Sequence, residues 1–374
     1  MDDTINSGSS SERIEQIDIL KALTIILIVA GHAYAPFTHF FYLFHVSVFF
    51  TASGYTYKDK YYQSFSGVPG FIKGKIKRLY IPYFVWNAVF TLLNNLFIKI
   101  NVYTDDPRIS EYVSGDHDLI HSYLGIREIL INISSGLIFK GNTQMGVAFW
   151  FIKILFMVSV IYVLADFLLN RFFPEYRLLI QIILSVCLLV FGYVCNIRNI
   201  QISPVPLICS CYWLFCMGNI LGTVRSKYAS VGISWKLTAF VISFAVLVFE
   251  NNIGTVYLAN NEYINPIYFI FAGICGWVFL YVISDFVVIY CPAKIRSILN
   301  YIGAHTLSIL ALQFLAFKPV AYLITRYYGL PGFCVAAFPN LYGDRAAWWL
   351  LYSVAGVMIP LGADFLFHRL ISGK

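Results

Sequence analysis

The sequence predicts an all-α protein, a polytopic membrane helical bundle of about ten transmembrane helices, and three observations predict it. The 374 residues are 59% hydrophobic and 18% aromatic but only 12% charged, about half the charge of an ordinary soluble domain. Mean hydropathy is +0.72, more apolar surface than a single soluble core can bury. The apolar runs are also continuous, as in 178–195 and 346–370. Membrane strands would alternate apolar and polar positions, whereas continuous runs of roughly 20 apolar residues mark helices that cross a bilayer. A soluble enzyme and a β-barrel are excluded.

The first sixteen residues are polar and hold Asp2, Asp3, Glu12 and Glu15 where a signal peptide would be basic. They lead directly into an apolar run with no small-residue cleavage site, so 1–16 reads as a cytoplasmic tail and the first span as a retained helix. Spans are predicted at 17–36, 42–57, 79–99, 148–170, 177–195, 205–223, 235–250, 264–288, 301–328 and 346–370. Of the 26 Lys and Arg residues, sixteen fall at span ends on the N-terminal side of the membrane and seven at the opposite ends. The other three, Lys21, Lys153 and Lys318, fall inside spans. This is the positive-inside asymmetry; it predicts a multi-pass protein of the inner (cytoplasmic) membrane with both termini in the cytoplasm. It also accounts for the net charge of +7, so membrane lipid is an expected partner and nucleic acid is not.

The loops are short, and 1–374 reads as a single integral-membrane domain. The long exception is the outer segment 101–147. It opens on an acidic, turn-rich stretch, after which Leu119, Tyr123, Ile126, Leu130, Ile133 and Leu137 recur at helical spacing. That pattern predicts an amphipathic helix lying on or dipping into the outer membrane face, and a loop of this length usually covers a site or binds something. On the cytoplasmic side, 58–78 combines Gly67, Pro69, Gly70 and Gly74 with Lys73, Lys75, Lys77 and Arg78. The eight cysteines lie mostly within or beside apolar runs, where cysteine acts as a small hydrophobe. Cys209 and Cys211 lack the further ligands that zinc needs. No disulfide and no metal are expected.

Helix one carries the most chemistry. Lys21 and His32 are eleven residues apart, about 1100° of helical rotation and so within about 20° of three full turns; Asp18 falls within about 40° of the same line. The three share a face, with Lys21 and His32 roughly 16 Å apart along the axis. Asp18 and Lys21 can serve as an interfacial ion pair with a snorkelling lysine, but His32 lies well inside the bilayer, where an ionisable group is costly and marks function. Helix two opens on Phe44 and His45, at a depth that could approach His32. Two imidazoles in an apolar hairpin can act as base and hydrogen-bonding partner, because histidine titrates nearest neutral pH. Ser53-Gly54 either lets backbone approach a ligand or serves small-residue helix packing. Lys75, Lys77 and Arg78 before Pro82 suit anionic lipid and topology, and would equally suit a phosphorylated ligand. His117 and His121 have metal-pair spacing but no third ligand, and read as a solvated helix end. Asp166, Asp285 and Asp364 read as helix-end or packing groups. No serine elbow, P-loop or dinucleotide fingerprint is present.

These residues resemble the acyltransferase family 3 membrane proteins, typically O-acetyltransferases of surface sugars. The family's Arg-Ile-x-x-Ile-Asp-x-Leu-basic opening and basic-x10-His spacing are matched by Arg13, Asp18, Lys21 and His32. Its Phe-His-x-x-apolar-Phe-Phe-x-x-Ser-Gly-Tyr segment is matched over 44–55, and its basic-x-x-Arg before Leu-x-x-Pro-Tyr by Lys75, Arg78, Pro82 and Tyr83. Weaker matches are 149–151, 215–222 and 302–314. The last of these departs from the family pattern, which ends in His where this chain has Gln313, and Lys153 stands where an uncharged residue is usual.

The resemblance implies transfer of an acyl group, acetyl by expectation, from cytosolic acyl-CoA to a hydroxyl of a cell-surface or lipid-linked sugar or polysaccharide. It implies Arg13, Lys21, Ser53, Lys75 and Arg78 as the binding set for the acyl-CoA donor. It implies His32, Asp18 and His45 as the catalytic set: His32 as general base, Asp18 fixing Lys21 or Arg13, and His45 polarising the acyl carbonyl or orienting the sugar. The extended phosphopantetheine arm is similar in length to the Lys21–His32 separation. A rival reading is a transporter or flippase for a lipid-linked sugar; it would spread polar residues over many helices, whereas here they concentrate in helices one to three. A third, prompted by Gln313, is an inactive scaffold within an export complex.

Overall fold

In a bilayer every backbone polar group has to be satisfied within its own segment, so apolar runs of this kind can only be helices. The computed structural model describes residues 14–113, 119–141, 143–200 and 202–372, and among these it contains helices and no strand. In chain order they are α1 (Glu15–His32), α2 (Thr38–Tyr42), α3 (His45–Tyr55), α4 (Gly67–Lys75), α5 (Ile81–Lys99), α6 (Ile126–Leu137), α7 (Trp150–Phe172), α8 (Arg177–Ile197), α9 (Val205–Thr223), α10 (Arg225–Ala229), α11 (Ile233–Ile253), α12 (Pro266–Tyr290), α13 (Ala293–Ala304), α14 (Thr306–Tyr327) and α15 (Trp348–Ser372).

Eight helical segments among the described residues are long and apolar enough to cross a membrane: Gly67–Lys99, Gln144–Phe172, Pro174–Ile197, Val205–Thr223, Ile233–Ile253, Pro266–Tyr290, Thr306–Tyr327 and Trp348–Phe367. The protein is a multi-pass membrane protein. The other two expected spans correspond to α1 and α3, and both differ from the eight for a physical reason. α1 carries Glu15, Asp18 and Lys21 within its 18 residues, and α3 is only 11 residues long, about 16 Å at helical rise. Both sit inside the bundle. α1 packs against α3, α12, α13, α14 and α15, and Ile17, Ile19, Leu20, Ala22, Ile25 and Val29 are almost wholly buried. Asp18 is buried among these neighbours, while Glu15 and Lys21 remain partly exposed.

Two local features differ from the sequence expectation, and a third shows how the outer segment packs. The segment read as a glycine-rich cytoplasmic loop before the third span is partly helix: α4 continues through a π-helical turn, Ile76–Tyr80, into α5. Pro82 has no N–H to give the carbonyl four residues earlier, that of Arg78, and its ring crowds that carbonyl; the helix widens there instead of ending. The expected span 301–328 divides at His305, because α13 is a separate 12-residue helix laid against α1. Gly303 permits the contact, since a Cβ there would run into the carbonyl of Asp18. Finally, α6 runs antiparallel beside α5: Asn94 and Asn95 bind the carbonyls of Ser122 and Leu124 before it, and the Tyr80 hydroxyl donates to Leu137 O at its end.

α3 and α9 approach at backbone distance. A Cβ on Gly54 would meet Phe215 O and one on Gly218 would meet Thr51 O, so of the two readings of Ser53-Gly54, the glycine serves helix packing. The three intramembrane aspartates each hold a partner. Asp166 pairs with Arg177 at 2.7 Å, Asp285 with Lys236 at 2.7 Å, and Asp364 lies 3.3 Å from His305 while accepting from Ser308.

Candidate active site

The site is built on α1 and α3. Each carries polar groups at the end nearer α4 and an imidazole at the other end. On α1, Lys21 Nζ lies 3.5 Å from Asp18 Oδ1, with Asp18 buried and Lys21 half-buried. On α3, Ser53 Oγ accepts from Lys75 Nζ at 2.7 Å. Lys75 crosses to α3 from the last residue of α4, where its ammonium stands 5.2 Å from the Phe71 ring and 5.8 Å from the Phe215 ring. The positive charges of Arg78 and Lys21 act on it. Four residues from three helical segments thus meet at one level: Lys21, Ser53, Lys75 and Arg78. Arg78 is exposed, held at the π-turn that Pro82 forces on the helix. Arg13 lies outside the described residues.

Three cations against one carboxylate suit a polyanionic ligand, and the ring faces of Phe71 and Phe215 hold Lys75 without neutralising it. Among the described residues no group of three His, Cys, Asp or Glu side chains gathers as a metal site. His121 stacks on Tyr103 with ring centroids 4.1 Å apart, while His117 lies outside the described residues.

The imidazoles meet at the other level. His32 is roughly 16 Å from Lys21 along α1, and His45 is roughly 12 Å from Ser53 along α3; a Cβ on Gly31, the residue before His32, would stand 3.1 Å from the Tyr42 ring, on which His45 stacks. His45 is 5% exposed. Its Nδ1 lies 2.7 Å from Phe41 O, and the ring is stacked on Tyr42 with centroids 4.9 Å apart and planes 20° apart. A carbonyl only accepts, so Nδ1 carries a hydrogen and the neutral ring has its lone pair on Nε2. Of the two roles considered for His45, polarising a carbonyl requires a second N–H that the neutral ring does not have. Accepting from a hydroxyl is what it can do.

His32 is half-buried, with Nδ1 3.0 Å from Gln313 Oε1 and its ring 4.9 Å from that of Phe314. Its backbone carbonyl accepts from Asn340 Nδ2 at 2.8 Å. Sequence reasoning marked Gln313 only as a departure from a pattern and did not place it against His32. It missed Asn340, Phe314 and Tyr42 as neighbours of the imidazoles; Tyr42 had a signal in its position three residues before His45, whereas nothing local singles out Asn340. Lys153 is half-buried on α7. Lys318 is 4% exposed and donates to Ala336 O and Ala337 O at 3.0 and 2.9 Å, fixing the segment that leads to Asn340.

Fold and site together define a class: a multi-pass helical membrane protein in which two helices link a cationic cluster to a pair of imidazoles deeper in the bundle. The profile of the acyltransferase 3 family, described as an acyltransferase domain, matches residues 14–366, nearly the whole chain, and the chain belongs to that family. It is a membrane acyltransferase. No curated protein and no solved structure matches it.

Proposed function

We propose that this protein is a membrane O-acetyltransferase, a single integral-membrane catalytic domain that moves an acetyl group from cytosolic acetyl-CoA to a hydroxyl of a cell-surface or lipid-linked sugar. The observation that carries the reading is the two-level arrangement. Lys21, Lys75 and Arg78 present cations suited to the donor's phosphates, with Ser53 beside them, and the same two helices place His32 and His45 about an extended pantetheine arm away. The charge asymmetry of the span ends supports an inner-membrane location with the cationic level and both termini on the cytoplasmic side.

The donor supplies a thioester carbonyl and a thiolate leaving group. His32 Nε2 takes the proton of the acceptor hydroxyl as its oxygen attacks that carbonyl, and returns the proton to the departing thiolate. His45 Nε2 accepts a hydrogen bond from the acceptor and orients it. Asp18 holds Lys21 toward the cationic cluster. The test is acetyl transfer by purified protein given acetyl-CoA and sugar acceptors. Wild type transfers, and His32→Ala loses a factor of about 10² to 10⁴ in kcat. Transfer that survives the substitution overturns His32 as base. Sugar binding with no transfer from any acyl donor overturns the enzyme reading in favour of a transporter.

A further inference from the structure

We infer that Gln313 is a positioning residue that fixes the tautomer of His32, holding its Nδ1 as the N–H and so turning the lone pair onto Nε2. The inference rests on the reading of His32 as the base and goes beyond it in naming what makes that base competent. Gln313 is wholly buried on α14. Its amide could in principle present either end to the imidazole, and the choice decides which ring nitrogen is basic. The surroundings make it: Gln313 Nε2 donates to Leu310 O, one turn back on the same helix, at 3.3 Å. An amide nitrogen committed to a carbonyl leaves the amide oxygen facing the ring, and that oxygen, 3.0 Å from His32 Nδ1, only accepts. Nδ1 therefore donates.

The rest of the neighbourhood keeps the pair in register. The Phe314 ring lies against His32 at 4.9 Å, and Phe338 lies 4.8 Å from Phe314. Asn340 ties the His32 carbonyl at the end of α1. An amide is also a neutral orienting group: it sets the ring's direction and tautomer without placing a fixed negative charge beside a base that has to release its proton again. The logic is that of the third member of a catalytic triad, whose loss leaves the wrong tautomer in place.

The test has two parts that separate this inference from the function beneath it. In wild-type protein carrying ¹⁵N-histidine, with the His32 signal assigned by its loss in His32→Ala, neutral His32 is expected as the Nδ1–H tautomer; an Nε2–H tautomer overturns the inference, and this needs no variant of Gln313. In steady-state assays, Gln313→Met keeps the side chain's length but removes the acceptor. It is expected to lower kcat about 10- to 100-fold with the KM for acetyl-CoA unchanged and to shift His32 toward the Nε2–H form. Gln313→Glu, which keeps an acceptor in place but adds a negative charge, is expected to hold the Nδ1–H tautomer and to restore only part of the kcat lost in Gln313→Met. Unchanged kcat in Gln313→Met, with His32→Ala inactive, overturns the positioning role and leaves His32 as base. Activity in His32→Ala overturns the function reading instead.

Discussion

Replacing Lys75 by Met tests the cationic level directly, and the structure sets the expected size of the effect. The ammonium lies 2.7 Å from Ser53 Oγ, within reach of two aromatic faces and close enough to Arg78 and Lys21 for their charges to act on it. Crowding three cations stores repulsion that a polyanion relieves, so Lys75 contributes more with ligand bound than without. One charge-assisted hydrogen bond to a phosphate contributes about 1.5–3 kcal/mol, and at about 1.4 kcal/mol per decade its loss raises KM for acetyl-CoA roughly 10- to 150-fold. The contact is made equally in ground and transition states, so kcat should stay within about a factor of two or three. Ser53→Ala removes only the hydroxyl that aims the ammonium, a neutral partner with a net contribution of about 1 kcal/mol, and should raise KM about fivefold. The assay is initial-rate kinetics of protein in nanodiscs, with acetyl-CoA and with acetyl-pantetheine, which lacks the nucleotide and its phosphates. Lys75→Met should leave the KM for acetyl-pantetheine unchanged, and added salt should weaken acetyl-CoA use by wild type more than by the variant. Equal KM values for acetyl-CoA in wild type and Lys75→Met would refute the assignment of this cluster to the donor.

Two further outcomes follow from packing. Gly54→Ala drives a methyl into the Phe215 carbonyl; because both neighbours are helix backbone, the helices must separate, at a cost of about 1–3 kcal/mol. The result should be a lower melting temperature in detergent and weaker activity, since α3 carries both Ser53 and His45; an unchanged melting temperature would contradict the close approach. Lys318→Met strips the donors from Ala336 O and Ala337 O, leaving buried carbonyls unpaired at about 1–3 kcal/mol each. Hydrogen exchange over 333–345 should then quicken, and equal protection in both proteins would show that Lys318 does not clamp that segment.

Sequence alone determined the class of this protein and made half of its candidate site legible. Apolar runs, the basic bias of span ends and helical spacing are local signals, so the helices, the shared face of Asp18, Lys21 and His32, and the cluster at Lys75 and Arg78 could all be read residue by residue. Periodicity also went astray for local reasons: it assigned a loop before the third span where Pro82 widens a continuous helix, and it joined α13 to α14 across His305. Tertiary structure alone decided which groups meet. The partner of the His32 ring lies 281 residues away, and Asn340, on its carbonyl, lies in a segment fixed by a buried lysine. Neither contact has a periodic signature, because each depends on how separate helices and loops pack, and packing responds to the shape of all the neighbours at once. The tautomers follow from those contacts, since a carbonyl or amide oxygen beside one ring nitrogen determines the chemistry of the other.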